Sequence, residues 1–369
     1  MQRPRVKTYW KQTTEGGITL IQELGVQATL PDPDGQVLAL LELADGTRAL
    51  PELHAAMAER WPELTRADVA AGLAGLDDAG LLEDAAAGGD LSPWQRERYF
   101  SNLAFFGTFA TLDLGRADFQ ARLMDARVVL LGAGGLGSTL LQNLAGLGVG
   151  EVVVVDRDRV EPRNLARQFL YSEAEIGLPK VHRAVARARA FNSESRFTAV
   201  ERWVRRPEDL DDLIPGADLV LSAIDQPIDV QKWVNQACVR ARVPYVTGGM
   251  QVTRGLYYSI DPGRSGCLSC WKSDWSDATT VSQLSEGGER VNRGLGPVAS
   301  LVSSLMALET VRYLTGYAPP VSAGRLWLVD LVGGRVDVGY EWRRRPDCPM
   351  CGHLASGRER AGAPAGLVA

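Results

Sequence analysis

Beyond about residue 127, short aliphatic runs alternate with longer stretches whose apolar positions recur every three or four residues. Arg127–Leu131 (RVVLL), Glu151–Val155 (EVVVV), Leu219–Ala223 (LVLSA) and Pro244–Thr247 (PYVT) have the length and β-branched content of buried strands. Ser138–Leu147, Lys180–Phe191 and Ile228–Arg242 carry helical periodicity between them, and a helical stretch over Trp94–Phe109 precedes the first strand. Strands alternating with helices predict βαβ units and a mostly parallel sheet, an α/β fold of Rossmann-like type. Pro297–Leu314 reads as a long apolar helix, Leu326–Leu331 and Val336–Gly339 as further strands, and the Ala-, Gly- and Arg-rich residues 354–369 as a disordered tail.

The first ninety residues follow another pattern. Ile18–Ile21, Val26–Leu30 and Val37–Leu41 are short β-like runs, with hairpin chemistry (Pro31-Asp32-Pro33-Asp34-Gly35) between the second and third. Helical patterns follow at Leu53–Arg60 and Asp68–Ala79, the latter opened by a capping box at Thr65-Arg66-Ala67-Asp68. Three strands with three short helices is the inventory of a small α+β winged-helix domain, here residues 1–84. The small-residue stretch 85–92 reads as a linker to an α/β domain over 93–353.

Composition narrows the classes. The 369 residues are 45% hydrophobic and 23% charged with a net charge of −5, which offers no general attraction to nucleic acid or anionic lipid. Residues 1–90 hold seven Lys/Arg against fifteen Asp/Glu, a net of −8, so a winged helix here would repel phosphate rather than bind DNA. No apolar run predicts a membrane span and Met1-Gln2-Arg3-Pro4 opens no signal-peptide core, so the expected location is cytoplasmic.

The candidate chemistry begins at Gly132-Ala133-Gly134-Gly135-Leu136-Gly137, between a buried strand and a helix. Glycines at 132, 134, 135 and 137 let the backbone approach phosphate, and the helix N-terminus supplies unpaired N–H groups. Asp156 ends the next strand, where a carboxylate grips a ribose. Alone, this favours a nicotinamide or flavin enzyme. The block Asp156-Arg157-Asp158-Arg159-Val160-Glu161-Pro162-Arg163-Asn164-Leu165-Ala166-Arg167-Gln168 and the helix-opening Lys180 change that reading. An Asn, an Arg and a Lys converging beyond the strand suit a triphosphate whose charge must be held while a carboxylate attacks the α-phosphorus. Asp225, just past the strand Leu219–Ala223, is placed to hold Mg²⁺.

These segments, together with GLPK at Gly177–Lys180, SAID at Ser222–Asp225 and GPVASLVSSLMALETVRYLTG ending at Gly316, resemble the ThiF/MoeB/HesA family of ubiquitin-activating-like adenylyltransferases over roughly Ser92 to Gly352. The resemblance implies ATP and Mg²⁺ as cofactors. It assigns Asp156, with Asp158 beside it, to the ribose end, Asn164, Arg167 and Lys180 to the phosphates, Gln168 to the lining and Asp225 to Mg²⁺. It also implies a homodimer in which Arg98 reaches a partner's ATP, although a helix-surface role fits Arg98 equally well. The residues that carry catalysis are then expected to be Arg167, Lys180, Asp225 and Arg98.

Cys267-Leu268-Ser269-Cys270 and Cys348-Pro349-Met350-Cys351 have the ligand count and spacing of a closed structural zinc site, which the same family commonly carries. Cys238 reads as a buried small hydrophobe. The three histidines, His54, His182 and His353, form no acid/base constellation. The polar loop Lys272–Gly296 contains no cysteine, so activation without an enzyme thioester is expected. The N-terminal module resembles the leader-peptide recognition elements of ribosomal peptide biosynthesis, which microcin-C-type peptide adenylyltransferases carry before their catalytic domain. The partner is accordingly expected to be a precursor peptide; the alternative is a Gly-Gly-ended, ubiquitin-like sulfur carrier.

Overall fold

A computed structural model describes residues 2–14, 17–23, 26–87, 89–251, 253–272 and 294–354, in two units that part between Arg122 and Leu123. In the first unit β1 (Pro4–Val6) is followed by β2 (Trp10–Thr14), β3 (Gly17–Glu23) and β4 (Val26–Pro31), an antiparallel meander in the order β2-β3-β4. Helices α1 (Gln36–Leu43), α2 (Leu50–Ala58) and α3 (Arg66–Asp78) come next, and β5 (Leu82–Asp84) returns to pair with β1. Thr65 caps α3 as its sequence predicts: Asp68 N–H donates to Thr65 Oγ1 (3.2 Å), and Thr65 N–H to Asp68 Oδ2 (2.8 Å).

The run Val37–Leu41, expected as a strand, is helical. Asp32 accepts the N–H groups of Val37 (2.9 Å) and Leu38 (3.1 Å), so the proline-rich segment caps a helix where a hairpin was expected. The neighbours Leu40 and Leu41 are both buried in one core with Ile18, Leu53, Leu73 and Leu82, which strict strand alternation would forbid. Residues 1–84 therefore hold three helices and five strands (β1 to β5) where three strands were expected. The single helix expected over Trp94–Phe109 breaks at Tyr99 into α4 (Pro93–Arg98) and α5 (Phe100–Gly107), and α6 (Arg116–Asp125), absent from the sequence reading, leads into the second unit.

The second unit is built on one eight-stranded sheet. Its elements are β6 (Arg127–Leu131), α7 (Gly135–Leu147), β7 (Glu151–Asp156), α8 (Lys180–Phe191), β8 (Arg196–Glu201), β9 (Leu219–Ser222), α9 (Val230–Ala241), β10 (Tyr245–Gln251), β11 (Arg254–Ile260), α10 (Leu268–Lys272), α11 (Gly296–Thr315), β12 (Arg325–Asp330) and β13 (Arg335–Glu341). The strand order is β13-β12-β11-β10-β9-β6-β7-β8, parallel from β10 through β8 and antiparallel from β10 to β13. Val128–Leu131 of β6 are wholly buried, as a central parallel strand covered on both faces requires. The edge strand β8 exposes Arg196, Thr198 and Glu201, half of its residues, which dilutes the apolar signal that would have marked it. The chain passes from β6 to β7 on one side and later returns to place β9 on the other, and this reversal of strand order opens a crevice at the carboxyl end of β6. No helix among the described residues is long and apolar enough to cross a membrane. Most of the expected loop Lys272–Gly296 and all but one residue of the expected 354–369 tail lie outside the described residues.

Candidate active site

The glycine turn after β6 sits in that crevice. Gly132 has φ +94°, and a Cβ there would meet the Ala223 carbonyl oxygen at 2.7 Å; one on Gly137 would stand 1.8 Å from the carbonyl oxygen of Gly132. Both positions therefore exclude any side chain. Tyr171 donates its hydroxyl to the Ala133 carbonyl (2.7 Å) and braces the turn from beneath. Asp156, at the end of β7, accepts the Ala133 N–H on Oδ2 and the Asp158 N–H on Oδ1, both at 2.7 Å. Burial pushes its carboxyl above the ordinary value, and those N–H groups and Lys180 partly oppose the rise.

The polar block folds back over this turn. Asn164 ends a single 3₁₀ turn at Pro162–Asn164; its Oδ1 accepts the Glu161 N–H (3.0 Å), so its NH₂ end is the one left to donate to a ligand. Arg167 donates to the Arg163 carbonyl (3.2 Å), and its Cδ lies 3.5 Å from where a Gly135 Cβ would be, which sets its guanidinium stem against the N-terminus of α7. Gln168 is buried, lies beside Gly134, and its Oε1 is a buried acceptor with no donor among the described residues. A hydroxyl or amino group of a bound nucleotide would satisfy it. Lys180, buried at the first position of α8, directs its ammonium group to Asp158 Oδ2 at 3.3 Å. Asp225 is exposed three residues past β9, two after Ala223, whose N–H bonds the Leu131 carbonyl (2.7 Å), and carries no ion pair among the described residues. The carboxyl ends of β6, β7 and β9 thus bring together the glycine turn, Asp156 and Asp225. Glycines that a side chain would block, an orphaned buried acceptor and two cationic side chains fit a nucleoside triphosphate.

A second cluster joins residues 81 positions apart. Cys267 Sγ and Cys348 Sγ are 3.7 Å apart, Cys270 Sγ and Cys351 Sγ 3.4 Å, and all four sulfurs lie within 4.8 Å of one another, buried. These separations exclude a disulfide. A tetrahedral zinc with bonds of about 2.3 Å would space its sulfurs about 3.8 Å apart, so the four thiols fit the metal. Burial raises the Cys348 thiol, but the N–H groups of Cys351 and Met350 and the facing thiols outweigh it and bring it to about 7.

A model of the ThiF family matches residues 108–350. The chain belongs to the ThiF family. The sulfur carrier protein ThiS adenylyltransferase of Escherichia coli is 34% identical over 241 residues, covering 64% of this chain and 89% of that protein. The SAMP-activating enzyme E1 of Haloferax volcanii is 32% identical over 236 residues, 63% of this chain and 83% of that one. Among solved structures, E. coli MccB with ATP superposes with a TM-score of 0.77 at 22% identity over 95% of this chain and 100% of that one, a likeness of fold. PaaA gives 0.70 at 20% identity over 91% and 99%. This ThiF-family chain is an adenylyltransferase of the ubiquitin-activating-like kind, and ATP binding is expected of its family.

Within this ThiF-type domain the structure shows groups that the sequence reading passed over. Tyr171 lies three residues beyond Gln168 and carries no motif of its own. Trp203 follows β8, a strand the sequence did not reveal, and the Arg157 and Arg205 guanidinium carbons lie 3.8 and 4.3 Å from its ring centroid. Arg98 closes α4 in the first unit, whereas Arg167, Lys180 and Asp225 all belong to the second. Cys238 is wholly buried and burial raises its thiol strongly, as the sequence reading of a small core residue requires.

Proposed function

We propose that this enzyme adenylates a carboxylate on a precursor peptide, with residues 1–84 as a winged-helix-type recognition domain, 85–92 as a linker and 93–353 as the catalytic domain. ATP supplies the AMP group that the carboxylate accepts at the α-phosphorus, and pyrophosphate leaves. Asp156 holds the ribose, with Asp158 beside it. The N–H groups at the start of α7, on Gly134, Gly135 and Gly137, together with Asn164, Arg167 and Lys180, hold the phosphates and stabilise the charge that builds there. Gln168 closes the lining, and Asp225 would hold Mg²⁺. The attacking carboxylate is ionised near neutral pH, so no general base is needed. Cys267, Cys270, Cys348 and Cys351 would hold a zinc ion that staples the chain after β13 to the start of α10 and takes no part in the reaction. In a homodimer, Arg98 would complete a partner's phosphate site.

One observation carries the peptide reading. The ThiS adenylyltransferase and the SAMP-activating enzyme E1 align in sequence with 63–64% of this chain and the Arabidopsis thaliana MOCS3 with 76%, whereas MccB structures, several of them with MccA, superpose on 95% of it and on 97–100% of their own length. The first unit is the part that such a match adds. The 34% identity to the ThiS adenylyltransferase favours a second reading, activation of a Gly-Gly-ended carrier. ATP–pyrophosphate exchange separates them. Exchange with a peptide, lost when the peptide's recognition segment is removed and abolished by Arg167→Ala, supports the first. Exchange with a Gly-Gly-ended carrier alone establishes the second, and none with either overturns both.

A further inference from the structure

The order of parts in the nucleotide site leaves one component without a partner. Phosphates belong at the start of α7 and near Arg167 and Lys180, and the ribose belongs at Asp156. A nucleoside's base and its phosphates leave the sugar from opposite ends, so the base extends past Asp156, away from the glycine turn and toward the carboxyl end of β8. The segment following β8 runs beside that point, since the Arg202 N–H bonds the Asp156 carbonyl at 3.3 Å. Trp203 is 40% exposed there, and the Arg157 guanidinium carbon lies 3.8 Å from its ring centroid.

Arg157 directly follows Asp156. Its only ion-pair neighbour among the described residues is Asp158, at 3.8 Å, too long for a hydrogen bond, so the indole is what orients the guanidinium. A planar cation resting on an aromatic face keeps its second face for another flat group, and 42% of the Arg157 side chain remains exposed. Holding the side chain in place beforehand lowers the entropy lost when a ligand stacks on it.

We propose that Arg157, laid flat on Trp203, is the platform on which the adenine of ATP stacks. The proposal rests on the adenylating reading and adds a base-binding pair to it. Stacking on a guanidinium plane needs the plane as well as the charge, whereas a contact to phosphate would need the charge alone. The two roles therefore separate when a ligand with a base is compared with one without.

The test is titration calorimetry of the full-length protein with ATP and with inorganic tripolyphosphate, for wild type, Arg157→Ala, Arg157→Lys and Trp203→Phe. Arg157→Ala is expected to weaken ATP binding about tenfold, the scale of one lost base stack, and to leave tripolyphosphate binding unchanged. Arg157→Lys keeps the charge and loses the plane, so it should resemble Arg157→Ala; should the alanine variant not fold, the lysine variant carries the test. Trp203→Phe keeps an aromatic support and should lose less than either. Equal losses for ATP and tripolyphosphate would overturn the platform in favour of a phosphate contact, and unchanged ATP binding in all variants would overturn it outright. A wild-type protein that binds tripolyphosphate but no ATP would sink the platform alone, and one that binds neither would overturn the adenylating reading on which it stands.

Discussion

The Cα of Gly137 packs so closely on Gly132 that a single added carbon would overlap the Gly132 carbonyl oxygen, at 1.8 Å. The contact lies between two backbone segments, so no side-chain rotation can relieve it. Gly137→Ala is expected to cost on the order of 3–5 kcal/mol of stability and to abolish ATP binding, because the first turn of α7 must move. Thermal melting and nucleotide titration check this; a variant that melts and binds like wild type would mean that the turn has another conformation.

Lys180 points a nearly buried ammonium group at Asp158, 3.3 Å away. Lys180→Met keeps the buried stem and removes the charge, so packing should survive while charge stabilisation at the phosphates is lost. We expect pyrophosphate exchange to fall by roughly 100- to 1,000-fold, with melting little changed. An unchanged rate would remove Lys180 from the catalytic assignment.

Glu175 gives a pH signature of stability. Burial pushes its carboxyl up, but bonds from Arg183, the Ser172 N–H, Arg187 and the Ser172 hydroxyl overcome that and hold it at about 2, below the ordinary 4.5. A depressed folded-state value stabilises the protein above pH 4.5, and that contribution is lost as pH falls toward 2. Glu175→Gln should therefore destabilise at pH 7, by about 1–2 kcal/mol once screening of the half-exposed arginines is allowed for, and the gap to wild type should close as pH falls below 4.5. Denaturant melts of both proteins at neutral and acid pH measure it, and a gap independent of pH would refute the linkage.

The four buried thiols predict one zinc per chain by elemental analysis. Chelation, or Cys270→Ser, should lower the melting temperature by removing a link between α10 and the segment after β13. Zinc-free protein of undiminished stability would show that the thiols pack without metal.

Much of the catalytic domain was legible because its strongest signals are local. The strands at Arg127–Leu131 and Glu151–Asp156 are dense in aliphatic residues, the helix at Lys180–Phe191 buries Val181, Ala184, Val185 and Ala188 at helical spacing, and the glycine turn announces itself by spacing. The weaker elements were not: β8 is an edge strand with half its residues in solvent, and α1 was misread because its apolar run satisfies a strand template as well as a helical one. Its Asp32 cap acts from four residues before the helix begins, which a local pattern does not display.

The amino-acid sequence by itself determined the chemistry on offer: a phosphate-approaching turn, a cationic block, two Cys-x-x-Cys pairs and the family these motifs resemble. Residue identity and short spacing carry such information, because backbone freedom, charge and ligand type are properties of neighbouring residues. Only the tertiary structure decided which of them meet. The sheet order β9-β6-β7 sets Asp225 and Asp156 on either side of Gly132, packing brings Cys267 to Cys348 across 81 residues, and the turn after β8 lays Trp203 against Arg157. Those meetings depend on strand order and burial over long separations, where the free energy belongs to the whole core and no local pattern records it.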